Sequence, residues 1–319
     1  MSEKVIKSYK AFDKNMQCRG FQYEVGKEYE MDGKIKCCER GFHACKSPME
    51  VWDHYDMISS RFAEVEQSGK IEEEGNSTKV CSSHIKIKAE LKLADIIKVG
   101  VEWLKDITSP SKVKTDIAKN DNGGDYAQID SSGYSAKIGS SGDSAQIDSS
   151  GDYAQIGSSG DYAQIGSSGD YAKIGSSGYS AQIGSSGDYA KIGSSGYSAK
   201  IGSSGYSAKI GSSGDSAQIG SSGDSAQIGS SGDYAKIGSL GDSAKINSTG
   251  EDSVIMCAGN NSRAKAKVGS WITLTEWEWN DEKNHYVPVC VKTEYVDGNN
   301  IKADTWYQLK NGEFVEVTE

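Results

Sequence analysis

Proline is nearly absent, with 3 residues against 38 glycines in a chain of 319. No stretch of 18 consecutive apolar residues occurs, which excludes a membrane-spanning helix. The opening residues, Met1-Ser2-Glu3-Lys4-Val5-Ile6-Lys7, hold no apolar run of leader length, so no secretory signal is expected. Hydrophobic residues make up only 36%, below the ~45–50% of ordinary globular domains, so one large core cannot run through the whole chain. No segment is basic. Residues 1–124 carry 21 basic and 21 acidic side chains, residues 125–246 carry 7 Lys against 12 Asp, and residues 247–319 carry 7 against 12, for a net charge of -10. Direct binding to a phosphate backbone is therefore not expected, whereas an acidic surface suits a protein partner. The seven cysteines are odd in number and irregular in spacing, which points to reduced thiols and a cytoplasmic setting. Cys37, Cys38, His43 and Cys45 cluster without a distal pair of ligands, so no metal is expected. His-Glu-x-x-His, a Gly-x-Ser-x-Gly elbow and a phosphate loop are all missing, and no cofactor is expected.

What is present is a repeat. From Asp125 onward the chain reads Gly-Ser-Ser-Gly-Asp-Tyr-Ala-Gln-Ile with small variations. Isoleucine recurs every nine residues, at Ile129, Ile138, Ile147, Ile156, Ile165, Ile174, Ile183, Ile192, Ile201, Ile210, Ile219, Ile228, Ile237 and Ile246, and again at Ile255. Alanine stands two places before it in fourteen consecutive repeats. Ala-x-Ile has the period of a strand, and two glycines flanking Ser-Ser read as a tight corner in which Gly supplies positive φ. Nine residues are too few for a helical unit. The fold class expected is mainly β: a parallel β-solenoid or β-roll with about two repeats per 18-residue coil. About seven coils at ~4.8 Å per rung would give a rod ~34 Å long. Its thin core would be the Ala and Ile columns, closed by caps at both ends.

The corner position after the second Gly is Asp in ten repeats and Tyr in four, and the residue between Ala and Ile is Lys or Gln, seven of each. These positions form outward ladders in which mixing dilutes like-charge repulsion. The Asp row departs from the calcium-roll pattern Gly-Gly-x-Gly-x-Asp by one place and one glycine, so it reads as a solvated ladder.

Residues 1–110 read as an α+β domain. It has a strand over Gly20–Val25, a capping box at Ser47-Pro48-Met49-Glu50 opening a helix to about Tyr55, strands over Arg61–Glu66 and His84–Leu91, and a helix over Ala94–Asp106. Residues 111–124 read as an entry linker, 125–255 as the solenoid and 256–319 as a β-rich cap. The cap holds Trp271, Trp277, Trp279 and Trp306, and Asn311-Gly312 marks a hairpin within it.

The runs Cys18-Arg19-Gly20-Phe21-Gln22-Tyr23-Glu24-Val25-Gly26-Lys27, Gly41-Phe42-His43-Ala44-Cys45 and Arg61-Phe62-Ala63-Glu64-Val65-Glu66 carry a resemblance. The chain resembles an uncharacterised family of phage and prophage proteins in which a Gly-Phe-His-Ala-Cys N-terminal domain precedes Ser-Gly-Asp-Tyr-type repeats. The resemblance implies a phage or prophage origin and a bacterial host cytoplasm. It implies no reaction.

Together these features favour a non-enzymatic binding protein whose acidic solenoid engages a macromolecular partner, a host-defence factor among them. The expected contact surface is Asp152, Tyr153, Asp161, Tyr162, Asp170 and Tyr171, with Trp277 and Trp279 at the aromatic end. A structural, oligomerising spacer of a phage particle is one alternative. An ADP-ribosyltransferase-like enzyme using Arg19, His43, Glu64 and Glu66 is another, although Glu64 and Glu66 share the outward parity of an ordinary amphipathic strand.

Overall fold

The computed structural model describes residues 4–73, 77–109 and 124–318. The chain divides into two compact units, Met1–Trp103 and Leu104–Glu319. The expected linker at 111–124 lies, apart from Gly124, outside the described residues.

In the first unit, strands β1 (Ile6–Phe12), β5 (Phe42–Cys45), β6 (Arg61–Glu73) and β7 (Lys79–Leu91) pair as β5-β1-β6, and β7 bonds to both β6 and β5. The antiparallel sheet thus closes on itself and leaves few free edges. Strands β2 (Gln17–Cys18) and β3 (Phe21–Gln22) form a tight hairpin, and β4 (Glu28–Glu30) adds to β7. The closed sheet buries Phe12, Tyr23, Phe42, Val65, Ile85 and Ile87. The strand expected over Gly20–Val25 is cut short because Arg19 and Gly20 take φ of 51° and 78°, the two-residue turn of a primed hairpin. The expected capping box does not form. Ser47 makes no side-chain cap bond, and Glu50 instead accepts the Thr78 N–H (3.0 Å) and hydroxyl (2.6 Å). The segment is a 3-10 helix, Pro48–Asp53, that buries Met49, Val51 and Trp52. Helix α1 (Leu93–Ile107) follows the expected apolar spacing and buries Ile96, Ile97 and Val101.

The second unit is the solenoid. Among the described residues, four-residue strands follow one another every nine residues from β8 (Gln128–Ser131) to β22 (Val254–Cys257), alternating between two parallel sheets. Each repeat pairs in register with the repeat 18 residues later, as in Ile147↔Ile165 on one sheet and Ile156↔Ile174 on the other. There are about eight coils over residues 128–274. The coil runs past residue 255, the boundary the sequence suggested. Strand β23 (Arg263–Lys265) joins one sheet, and the first half of β24 (Trp271–Asn280) joins the other, with Ile272 stacked on Ile255.

The isoleucines and alanines are buried, as the alternation requires. A third column points inward beside them. The second residue after each Ile from Ile129 to Ile246 is a serine, and Ser140, Ser158, Ser176, Ser212 and Ser230 are buried without a hydroxyl partner among the described residues. The core per half-coil is therefore Ala, Ile and Ser. Two of the three inward places in each repeat thus hold small side chains.

The corners correct the expectation about glycine. No repeat glycine has positive φ. The left-handed residue is the Tyr or Ser two places later, for example Tyr153 (58°), Tyr171 (56°) and Ser225 (58°). That conformation turns its N–H toward the following coil, so Tyr153 N donates to Asp170 O at 2.8 Å. Strand amides donate the other way, as Gln164 N does to Ala145 O at 2.8 Å. Ser198 lacks positive φ, and its N–H bonds back to Tyr179 O at 2.9 Å. The corner glycine answers to stacking. A Cβ on Gly160 would stand 1.9 Å from Gly142 O, one coil earlier, and Gly205 would stand 2.0 Å from Gly187 O.

The C-terminal end is closed by two hairpins. Strand β25 (His285–Tyr295) pairs with β24, and β26 (Tyr307–Lys310) pairs with β27 (Glu313–Glu316). Asn311 and Gly312 have φ of 52° and 71°, which confirms the turn read from Asn-Gly. Val296, Ile301, Tyr307 and Leu309 continue the solenoid core. Glu276 ties the hairpins together by accepting the N–H groups of Asn311 (2.5 Å) and Gly312 (2.8 Å).

Candidate functional site

Two sites are built by these elements, one on the solenoid edge and one inside the first unit. On the edge, the Asp side chains serve the fold. Asp152 Oδ1 accepts the Asp170 N–H (2.9 Å), Asp161 Oδ1 the Tyr179 N–H (2.6 Å) and Asp170 Oδ1 the Asp188 N–H (2.8 Å). The expected solvated ladder is thus, on each edge, a chain of side chain-to-backbone bonds, with one oxygen of each corner Asp engaged by the corner amide one coil on.

The tyrosines behave differently. Each edge collects residues 18 apart, so Tyr153 and Tyr171 share one edge while Asp161 and Tyr162 lie on the opposite one. The consecutive strip expected from the sequence is therefore split. In its place Tyr134, Tyr153, Tyr171, Tyr189 and Tyr206 form a ladder on one edge. Tyr153 and Tyr171 stack at 4.9 Å and 5°, Tyr171 and Tyr189 at 5.0 Å and 7°, and the flanking rings contact at 5.3 and 5.7 Å. The spacing is that of the backbone rungs. On the opposite edge Tyr179 and Tyr197 stack at 5.3 Å. Trp277 and Trp279 lie on the terminal hairpin. Trp277 donates to Ala258 O (2.8 Å), a structural use, while Trp279 is exposed against Tyr286. Trp306 is buried beneath Arg263 and Lys265.

In the first unit, a cavity of about 650 Å³ is lined by residues from β1, the β2–β3 hairpin, β5, the end of the 3-10 helix and β7. Lys10 projects from β1 and is only 4% exposed. Its ammonium donates to His43 O (2.8 Å) and to Cys18 Sγ (3.5 Å), and it lies 5.3 Å from the Tyr23 ring centre. Burial and the nearby Arg19 charge work against its protonation, while Cys18 supports it. Tyr55 donates its hydroxyl to the same sulfur at 2.9 Å, and burial followed by that bond raises its pKa. His43 Nε2 accepts the Cys38 N–H (2.9 Å). Burial, with Lys10, Arg19 and Lys79 around it, lowers the His43 pKa. Burial pushes Cys45 up to about 12.

Residues 6–99 match a family described as Domain of unknown function (DUF7666). The matched segment contains the whole cavity and none of the solenoid, and covers less than a third of the chain. No curated protein and no solved structure matches the chain.

Of the four residues considered for transferase chemistry, Arg19 and His43 line this cavity. Glu64 and Glu66 do not line it: they pair with Lys7 (2.8 Å) and Lys88 (3.0 Å) on the strand's other aspect. Sequence reasoning did not single out Lys10 or Tyr55. The one available signal was a lysine inside the apolar run Tyr9-Lys10-Ala11-Phe12. Among the described residues no group of three metal-ligating side chains converges, and no helix is long and apolar enough to cross a membrane.

Proposed function

We propose that the chain is a non-enzymatic binding protein, encoded by a phage or prophage and acting in the bacterial host cytoplasm, whose solenoid is a stiff scaffold for contact with a protein partner. A host-defence factor is the partner class that suits such a source. The observation that carries this reading is the tyrosine ladder. The rings of Tyr153, Tyr171 and Tyr189 are not needed by the fold, because Ser207, Ser225 and Ser243 occupy equivalent corner places with the same left-handed backbone. Bulky rings at those places add exposed aromatic surface and fixed spacing, the two properties of contact residues that lose little entropy on binding. The carboxylates beside them keep a second oxygen for steering a basic partner.

The test uses the full chain as bait in bacterial lysate. Tyr153→Ser, Tyr171→Ser and Tyr189→Ser together should abolish a salt-sensitive complex. Tyr162→Ser with Tyr234→Ser, on the opposite edge, should leave it intact. Absence of any reproducible partner, or capture indifferent to the first set, sinks the reading.

A further inference from the structure

The cavity of the first unit holds an electrostatic imbalance that the solenoid reading does not use. Four Lys or Arg side chains line it, Lys10, Arg19, Arg40 and Lys79, against two carboxylates, Glu39 and Asp53. Glu39 pairs with Lys36, outside the lining. Arg40 is held by Asp32 O at 2.6 Å. Lys10 and Arg19 are the unusual pair. Lys10 is buried, and its only bonds are to a carbonyl and a sulfur. Among the described residues neither Lys10 nor Arg19 has a carboxylate within ion-pair distance.

Buried cations are ordinarily paired, because an uncompensated charge in a low-dielectric site is strongly destabilising. Here the buried Lys10 shares the cavity wall with Arg19, which is exposed at the rim. Lys10 sits in a strand buried on both faces, and the primed turn at Arg19-Gly20 places Arg19 at the exposed tip of a two-residue hairpin on the same cavity wall. An anion bound by both would offset the buried charge of Lys10.

The rest of the wall identifies what the anion is attached to. Phe21, the residue after the turn, is 45% exposed and lines the cavity, although it packs edge-on against Tyr23 (4.8 Å) and Tyr29 (5.3 Å). Its exposed part adds aromatic surface to the same cavity wall as Lys10 and Arg19. Simple inorganic phosphate would leave most of a 650 Å³ space empty, whereas ligand cavities of ~300–1,000 Å³ with apolar walls and a few placed charges suit small organic molecules. Arginine beside an aromatic ring is a phosphate-and-ring recognition pair.

We propose that this cavity binds an aromatic organic phosphate of mononucleotide size, its phosphate between Lys10 and Arg19 and its ring against Phe21. The site is independent of the solenoid edge, so either proposal can fail alone.

Calorimetry on the full chain at low salt tests it, with AMP, adenosine and inorganic phosphate as probes. AMP should bind. Adenosine and phosphate should each bind at least about tenfold more weakly, since each lacks one half of the recognition. R19Q, at an exposed hairpin tip, should weaken AMP by about tenfold or more, and F21A should weaken AMP but not phosphate. K10M keeps the buried stem and should remove phosphate binding; if it fails to fold, R19Q and F21A still decide. No heat from millimolar AMP, equal affinity for AMP and adenosine, or an R19Q protein that binds AMP unchanged would overturn the proposal. Phosphate binding as tightly as AMP would overturn it as well, since the ring would then contribute nothing.

Discussion

Two glycines in one coil, three residues apart, do opposite things. Gly205 is a corner residue whose added Cβ would meet Gly187 O at 2.0 Å, a collision of backbone with backbone that no side-chain rotation relieves. Gly202 faces outward on its strand, with nothing within 4 Å of the same added atom. Gly205→Ala should destabilise by roughly 1–3 kcal/mol or more through overpacking. Gly202→Ala should be neutral or gain about 0.5–1 kcal/mol by reducing the freedom of the unfolded chain. Urea denaturation of the two variants checks this, and equal effects would mean that stacking is not what keeps glycine in the corner. The contrast also explains an error of sequence reasoning. A glycine in a turn is naturally assigned the positive φ, yet that conformation falls on Tyr or Ser here, because the requirement for a bare Cα at the stacking contact takes precedence.

At the scale of the element, the corner is a small machine for using every amide. The left-handed residue sends its N–H to the following coil, and the Asp before it accepts the N–H of the Asp one coil on. Asp224→Ala removes the acceptor of the Asp242 N–H (2.8 Å) and should cost about 1 kcal/mol, whereas Asp224→Asn keeps a side-chain oxygen in place and should cost only a few tenths. A pair of denaturation curves separates them, and identical losses would return the Asp ladder to the solvent role the sequence suggested. The strands themselves were legible because Ala-x-Ile recurs without insertion and period two leaves one reading of which side is inward. The buried serine column was not, since a hydroxyl leaves no mark in a hydrophobic pattern. Yet Cys257 and Leu274 occupy the same slot in the last rungs and show that it is an apolar place. The N-terminal cavity was hidden for a different reason. Lys10, Arg19, His43, Tyr55 and Lys79 come from five separated segments, and only the closed sheet brings them to one wall.

For the whole second unit, the 18-residue coil is the indivisible step, because nine residues carry the chain from one sheet to the other. Excising residues 215–232 joins Gly214 to Asp233 within an unchanged Gly-Asp corner, keeps every later strand on its own sheet and spares the tyrosine ladder. The shortened chain should therefore fold cooperatively and keep its partner, with a smaller urea m-value because less surface is exposed on unfolding. Excising only 224–232 also leaves good corner chemistry, but it transfers the terminal hairpins to the opposite sheet relative to the ladder. If the partner touches both the ladder and the exposed Trp279 hairpin, the nine-residue deletion loses it while the eighteen-residue deletion does not. If the ladder alone makes contact, both deletions bind. Failure of the eighteen-residue deletion to fold would mean that stability is not passed from neighbour to neighbour, which is the property that makes a stacked repeat usable as a ruler at all.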